Sequence, residues 1–274
     1  MCSVGGRGAC VKLELRLMGK KVQSGAIQQT NPLFPFPMSL TPAEFAATLD
    51  STNLRLDATE ADIEALCREA VEGGFACVMI YPTSVPLAAR VLAGSKMRIG
   101  TVVGFPSGRF TTAAKEAEIN AMARAGAHEV DIVMDYAALR AGRGPDVLAE
   151  LVELTRVAHG NGQLIKVITE NCFLTETQML EALKMCEDAG ADFIKTSTGF
   201  GSAGAKREQI ELWAKNRRDL NGWRIKLKAA GGIKTLTDAL ALIEAGASRL
   251  GTSNAGALLT EFKGGAAAKA PGAY

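Results

Sequence analysis

The run RIKLKAAGGIKTLTDALALIEAGASRLGTS (residues 224–253) carries the plan of the whole fold in one phrase. An apolar stretch at 225–230 ends on Gly231-Gly232. A helix start follows at Thr235-Leu236-Thr237-Asp238, with a carboxylate three residues after a Thr cap. The helical stretch closes on Ala245-Gly246-Ala247, where Gly supplies the left-handed conformation that stops a helix. A second apolar stretch, 248–252, begins at once.

The same phrase recurs along the chain. Short runs, apolar at nearly every position, fall at 47–50, 75–81, 99–104, 129–134, 164–169, 192–197, 225–230 and 248–252. Strands buried on both faces read this way. Thr41-Pro42-Ala43-Glu44, Thr59-Glu60-Ala61-Asp62 and Thr175-Glu176-Thr177-Gln178 supply helix starts of the capping-box type. Helix ends repeat Ala-Gly-Ala at 125–127 and 189–191, and Gly74 ends the helix before FACVMI. Eight strands alternating with helices over about 220 residues predict an α/β fold, a single closed (β/α)8 TIM barrel. An open doubly wound sheet is the competitor. Its first strand would be followed by a Gly-rich phosphate fingerprint, and DSTNLRLD (50–57) is nothing like one.

Composition narrows the function classes. With 31 basic and 29 acidic residues the net charge is +2, which leaves no electrostatic footprint for nucleic acid or a membrane surface. No apolar run approaches the ~20 residues that span a bilayer, so a soluble chain is expected. The six cysteines show no metal-type spacing and read as reduced thiols of a cytoplasmic protein. Only two histidines, His128 and His159, are present, so an imidazole-rich metal centre cannot be assembled from one chain. No metal and no cofactor are expected.

The ends differ from the body. Residues 1–24 carry five basic groups against Glu14 alone, and residues 25–38 are uncharged and hold Pro32, Pro35 and Pro37. Composition favours a flexible N-terminal extension over a targeting peptide for 1–38. The barrel is expected to occupy 39–262, and a flexible tail 263–274.

In such a barrel the chemistry lies at the C-terminal ends of the strands. Asp50 is read as ending strand one, Asp131 as lying within strand four, Lys166 and Glu170 on strand five, Lys195 on strand six and Lys228 on strand seven. A Lys in an apolar strand must be desolvated or find a partner. In ADFIKTSTGF (191–200), period-two alternation puts Phe193, Lys195 and Ser197 on one side. Neighbouring strands bring Lys195 and Lys228 together, and two ammonium groups in one pocket depress one pKa. A neutral amine attacks a carbonyl to give a Schiff base, with Asp131 and Asp50 as countercharge and proton carriers. A structural ion-pair network is the plainer reading of one such Lys; two lysines and two aspartates at the functional end favour catalysis. Lys226 shares parity with Lys228 and is read as structural, Lys166 as a partner in the charged cluster. Gly231-Gly232 and Gly251-Thr252-Ser253-Asn254 follow consecutive strands, and loops of this kind cradle phosphate with backbone N–H groups.

Taken together, KVITE (166–170), DFIKTSTGF (192–200), KAAGGIKTLTDALALIEAGASRLGTS (228–253), TVVGFPSG (101–108) and EVDIVM (129–134) resemble the deoxyribose-phosphate aldolases, class I enzymes of the DeoC type. The resemblance implies reversible, metal-free cleavage of 2-deoxy-D-ribose 5-phosphate to D-glyceraldehyde 3-phosphate and acetaldehyde. It implies Lys195 as the Schiff-base lysine and Lys228 as the second lysine that lowers its neighbour's pKa. It also implies Asp131 as the acid/base group acting through a water, and Asp50 as its support near the second lysine. Phosphate would meet Gly199, Gly231, Gly232 and Ser253, with Asn254 where a second Ser is often found. Ser51 stands where the family commonly has His. Some members end in a tyrosine that reaches the site, which makes Tyr274 a candidate against the alternative of a disordered end. A homo-oligomer, a dimer first, is implied as well. The competing functions are another Schiff-base phosphosugar aldolase and a cytoplasmic binding or scaffold protein on the same barrel.

Overall fold

The computed structural model describes residues 40–265. The readings made for residues 1–38, and for Tyr274 and the end of the tail, lie outside the described residues. Eight parallel strands form a closed barrel in chain order, with the last hydrogen-bonded to the first. They are β1 (Leu49–Asn53), β2 (Cys77–Ile80), β3 (Arg98–Val103), β4 (Glu129–Val133), β5 (Leu164–Ile168), β6 (Phe193–Lys195), β7 (Lys226–Ala230) and β8 (Arg249–Thr252). Around them run α1 (Pro42–Ala46), α2 (Glu60–Gly73), α3 (Val85–Val91), α4 (Thr112–Ala125), α5 (Tyr136–Arg140), α6 (Gly144–Gly160), α7 (Glu176–Asp188), α8 (Arg207–Asn216), α9 (Leu236–Glu244) and α10 (Ala255–Phe262). The (β/α)8 barrel expected from the recurring phrase is the fold.

The punctuation works as its chemistry requires. Thr41, Thr59 and Thr175 each accept a hydrogen bond from the third helical N–H, and Glu44, Asp62 and Gln178 reach back to the cap's own N–H. Thr235 takes the Asp238 N–H, while the Asp238 carboxylate turns to the Thr235 hydroxyl, so the start of α9 is capped on one side. Gly74, Gly126, Gly190 and Gly246 all have positive φ and reverse the chain into the next strand. The scarcity of aromatics is met by an aliphatic interior, with Trp213 and Phe45 among the few large rings buried in it. Among the described residues no helix is long and apolar enough to cross a membrane.

Two strand boundaries matter for the site. The first strand, expected at 47–50, is Leu49–Asn53. Helix α1 takes the preceding residues, and Ala47 is its C-cap. Asp50 is therefore the second residue of β1, in register with Cys77 and Gly251, and not its end. It sits toward the floor of the barrel. Strand β6 was expected to run to 197 but stops at Lys195, because the Thr196 side chain replaces the ladder. Its hydroxyl donates to the Ala230 carbonyl at 3.2 Å and accepts from the Ala230 N–H at 3.1 Å. Lys226 begins β7 exposed, with its ammonium 5.5 Å from the centre of the Phe193 ring, in keeping with a structural role.

At Gly246, φ is 116° and an added Cβ would lie 3.1 Å from the Ala214 Cβ. Gly246→Ala should lower stability by about 1–2 kcal/mol, read as a fall in the urea midpoint with the slope unchanged.

Candidate active site

Register delivers the charged side chains into one space. Lys195 of β6 lies opposite Lys228 of β7, and Asp131 of β4 opposite Lys166 of β5. Partners in register on parallel neighbours point the same way, here into the barrel. Asp131 is the hub: Oδ2 accepts from Lys195 Nζ at 2.7 Å and from Lys228 Nζ at 2.8 Å, while Oδ1 accepts from Lys166 Nζ at 2.7 Å. Lys228 also donates to Asp50 Oδ2, and Lys166 pairs with Glu129 Oε2 at 2.7 Å. Beneath them the Arg249 guanidinium donates to Asp50 Oδ1 and, at 3.0 Å, to Glu129 Oε2. Arg98 reaches Glu129 Oε1 at 2.6 Å from the half-exposed base of β3.

Asp50, Glu129, Asp131, Lys166 and Lys228 have no solvent-exposed surface, and Lys195 is 3% exposed. The network joins three carboxylates to four cations, Lys166, Lys195, Lys228 and Arg249, before Arg98 is counted. Positive charge is therefore in surplus in a dry interior, and the amine with the least compensation gives up its proton most readily. Lys166 lies within ion-pair distance of three carboxylates; burial lowers its pKa, but Asp131, Glu129 and Asp50 outweigh that cost and push it up. Lys195 has one carboxylate, and shares it. Burial is the largest influence on Lys195 and lowers its pKa; Asp131 opposes this, Lys228 and Lys166 add to it, and the result is about 8. The proximity of Lys228 thus contributes as expected, but desolvation contributes more. Asp50 is held down to about 2: against burial, which raises it, stand Arg249, Lys228 and Lys166. Asp131 is held well below the ordinary carboxylate range, with Lys166, Lys195 and Lys228 together overcoming burial. Asp50, Cys77 and Glu129 bring possible metal-ligating atoms within 4.8 Å of one another, yet both carboxylates are already engaged by Lys166, Lys228 and Arg249. An ion there would have to displace ammonium and guanidinium groups.

Above Lys195 opens a cleft lined in part by Gly199, Gly231, Gly232 and Ser253. Four of the five residues expected to meet phosphate therefore share one cavity with the amine. Gly199, Gly231 and Gly232 all have positive φ, and their missing side chains leave backbone exposed to the cavity. Asn254 does not line it. Its N–H donates to Thr252 Oγ1 at 3.0 Å and its side-chain oxygen accepts from Ser253 Oγ at 3.4 Å, so it steadies the turn beside the cleft. In the segments that follow β2, β3 and β6, Tyr81, Phe105 and Phe200 meet edge to face, with ring centres 5.9 and 5.3 Å apart.

Residues 45–261 match the family model described as DeoC/LacD family aldolase. This chain belongs to the DeoC/LacD aldolase family. It is 43% identical over 213 residues to a deoxyribose-phosphate aldolase of Carboxydothermus hydrogenoformans, covering 77% of this chain and 92% of the relative. A protein of the same name from Methanothermobacter thermautotrophicus is 44% identical over 216 residues, 78% of this chain and 92% of its own. Among solved structures, the deoxyribose phosphate aldolase of Aeropyrum pernix superposes with a TM-score of 0.74 at 31% identity, covering 81% and 92% of the two chains.

Several residues of this aldolase site escaped the sequence reading. Glu129 stands two positions before Asp131 and Arg249 two before Gly251, so strand parity alone would have turned both inward. Lys234, which lines the cleft, follows Gly232 by two residues, and that closeness to the double-glycine turn is the signal that could have found it. No local pattern marks Thr198 or Glu170 as joined, because their contact is set by the pairing of β5 and β6.

The value near 8 fixes the sign of a pH effect. Below it Lys195 is protonated and cannot attack a carbonyl; above it the neutral amine predominates. If Lys195 is the nucleophile, kcat/KM should rise with pH through about 8. Lys228→Met removes a repelling cation and leaves Asp131 more available to Lys195, so the limb should move up by about one unit. A pH–rate profile of the two proteins checks both statements.

Proposed function

We propose that this family member is a class I, Schiff-base aldolase that reversibly cleaves 2-deoxy-D-ribose 5-phosphate to D-glyceraldehyde 3-phosphate and acetaldehyde. The observation that carries the reading is the buried Lys195 amine. It is tuned to about 8, sits in register with Lys228, and lies under a cleft walled by glycine backbone. The names borne by the relatives supply the substrate.

In this scheme the neutral Lys195 amine adds to C1 of the open-chain sugar, and loss of water gives an iminium. Removal of the proton from the C3 hydroxyl lets the C2–C3 electron pair flow toward the iminium. D-glyceraldehyde 3-phosphate departs and an enamine remains. Protonation at C2 and addition of water to C1 then release acetaldehyde and regenerate the amine. Asp131 is the proposed acid/base group. Its Oδ2 lies within hydrogen-bonding distance of both Lys195 and Lys228, so a proton taken up in one step can be returned in another along that pair. Asp50 is proposed to hold Lys228 in place. Gly199, Gly231, Gly232 and Ser253 are proposed to receive the phosphate, with Lys234 beside them supplying positive charge. Asn254 acts through the turn it steadies.

A cytoplasmic location and a homo-oligomer, with a dimer as the first expectation, complete the proposal. The Aeropyrum pernix relative is described as a tetramer, which supports association without fixing its number.

Incubation with 2-deoxyribose 5-phosphate followed by borohydride should leave a stable adduct on Lys195, located by mass spectrometry. Lys195→Ala should give none and lose at least about three orders of magnitude in kcat. An adduct formed with a different phosphosugar but not with this one would transfer the reading to another Schiff-base aldolase. No adduct at all would favour a binding role for the barrel.

A further inference from the structure

Glu170 takes no part in the scheme above, yet it is 2% exposed and closely follows the strand that carries Lys166. Its backbone has φ 51° and ψ 62°. Among the described residues only Asn221 shares a positive φ without being glycine. A non-glycine side chain in that region costs roughly 1–2 kcal/mol, so the surroundings hold it there.

What holds it is the loop after Lys195. The Glu170 carboxylate accepts from the Thr198 N–H, 3.3 Å from each oxygen, and from the Thr198 hydroxyl. The Thr198 hydroxyl in turn accepts from the Phe200 N–H at 2.9 Å. Cys172 Sγ lies 3.9 Å from Oε1. Gly201 packs over the group so closely that a Cβ there would come within 3.1 Å of the carboxyl carbon and Oε1. These bonds fasten the residues on both sides of Gly199, which has φ 93° and lines the cleft, whereas Glu170 itself does not line it. An ionised carboxylate is the side chain suited to take N–H and O–H from the same residue at once, because it only accepts. A glutamine would face one of those donors with its own NH2. Burial leaves the Glu170 pKa raised, and the two Thr198 donors oppose that rise by bonding to the ionised form.

From this geometry we infer that Glu170 is a positioning residue for the anionic end of the substrate. It acts through Thr198 to set the turn at Gly199, and so decides how strongly the phosphorylated sugar is preferred over the bare one. The inference rests on the aldolase reading, with Gly199 in the phosphate-binding wall.

The test compares steady-state kinetics on 2-deoxyribose 5-phosphate and on unphosphorylated 2-deoxyribose, with borohydride trapping at Lys195 run beside them. In Glu170→Gln, KM for the phosphorylated sugar should rise about tenfold or more, the loss expected for a charge-assisted hydrogen bond. Its kcat, and kcat/KM for the bare sugar, should change by less than about threefold, since the amine and its hub are untouched. Thr198→Val, which removes the relay and keeps the carboxylate, should raise that KM as well, and the double variant should be no worse than the worse single one; because Thr198 itself lines the cleft, the split between the two sugars is read from the Glu170 variants. Equal losses on both sugars, or an unchanged preference, would overturn the inference. If Glu170→Gln does not fold, Glu170→Asp, which keeps the charge and draws it back from Thr198, decides by the same criterion. Failure of the wild-type protein to trap the phosphorylated sugar would instead remove the aldolase reading on which the inference stands.

Discussion

Three lysines share one aspartate inside this barrel. Asp131 accepts from Lys166 on one oxygen and from Lys195 and Lys228 on the other. Each of those lysines except Lys195 has a second carboxylate, Glu129 for Lys166 and Asp50 for Lys228. The chemistry of the site follows from that inequality. In a low-dielectric interior an ammonium ion is kept by the anions around it, and Lys195 has the weakest hold on one. Its reactivity is a property of the distribution of partners and does not reside in the residue itself.

The barrel is what makes such a distribution reproducible. Parallel pairing fixes which residues stand abreast, so Lys195 and Lys228 cannot drift apart without breaking the ladder between β6 and β7. The ladder then ends where freedom is needed. Thr196 takes over the Ala230 backbone groups with its side chain, and the chain beyond it is released to form the cleft wall. A closer approach occurs next to it: at Gly204 an added Cβ would lie 2.1 Å from the Gly231 carbonyl oxygen. The loops after β6 and β7 thus meet backbone to backbone, and small residues there are a steric requirement as well as a means of exposing N–H groups.

Much of this was legible in the chain because it is periodic or local. Thr caps, Ala-Gly-Ala stops and apolar runs are signals within a few residues, and they give the barrel and the placement of Lys195 and Lys228 on adjacent strands. Asp50 shows where local reading fails. Residues 47–50 read as a short apolar run that Asp50 ends, but capped helix α1 claims the residues before Thr48 and moves the strand forward. Glu129 and Arg249 were hidden for another reason. Each stands at the first position of its strand, where a charged residue reads as a solvated strand start unless its parity with Asp131 or Gly251 is followed inward; Glu129 then meets Lys166 on the neighbouring strand, and barrel closure brings Arg249 onto Asp50. Glu170 and Thr198 lie 28 residues apart, beyond any motif.

The floor of the barrel is therefore as constrained as its mouth. Removing one member of a buried ion pair leaves the other charged and desolvated, at a cost of about 3–5 kcal/mol. Arg249 satisfies Asp50 and Glu129 together, Asp50 steadies Lys228, and Lys228 shares Asp131 with Lys195. A change at Arg249 would leave Asp50 leaning more heavily on Lys228, withdraw Lys228 from Asp131, and return more of that carboxylate to Lys195. Its ammonium form would then be favoured and its nucleophilic form depleted. A residue at the barrel floor, absent from the cleft lining, thus bears on the protonation of the amine through two carboxylates and one lysine. The residues that define the reactivity of this site extend down the barrel as well as around the cleft.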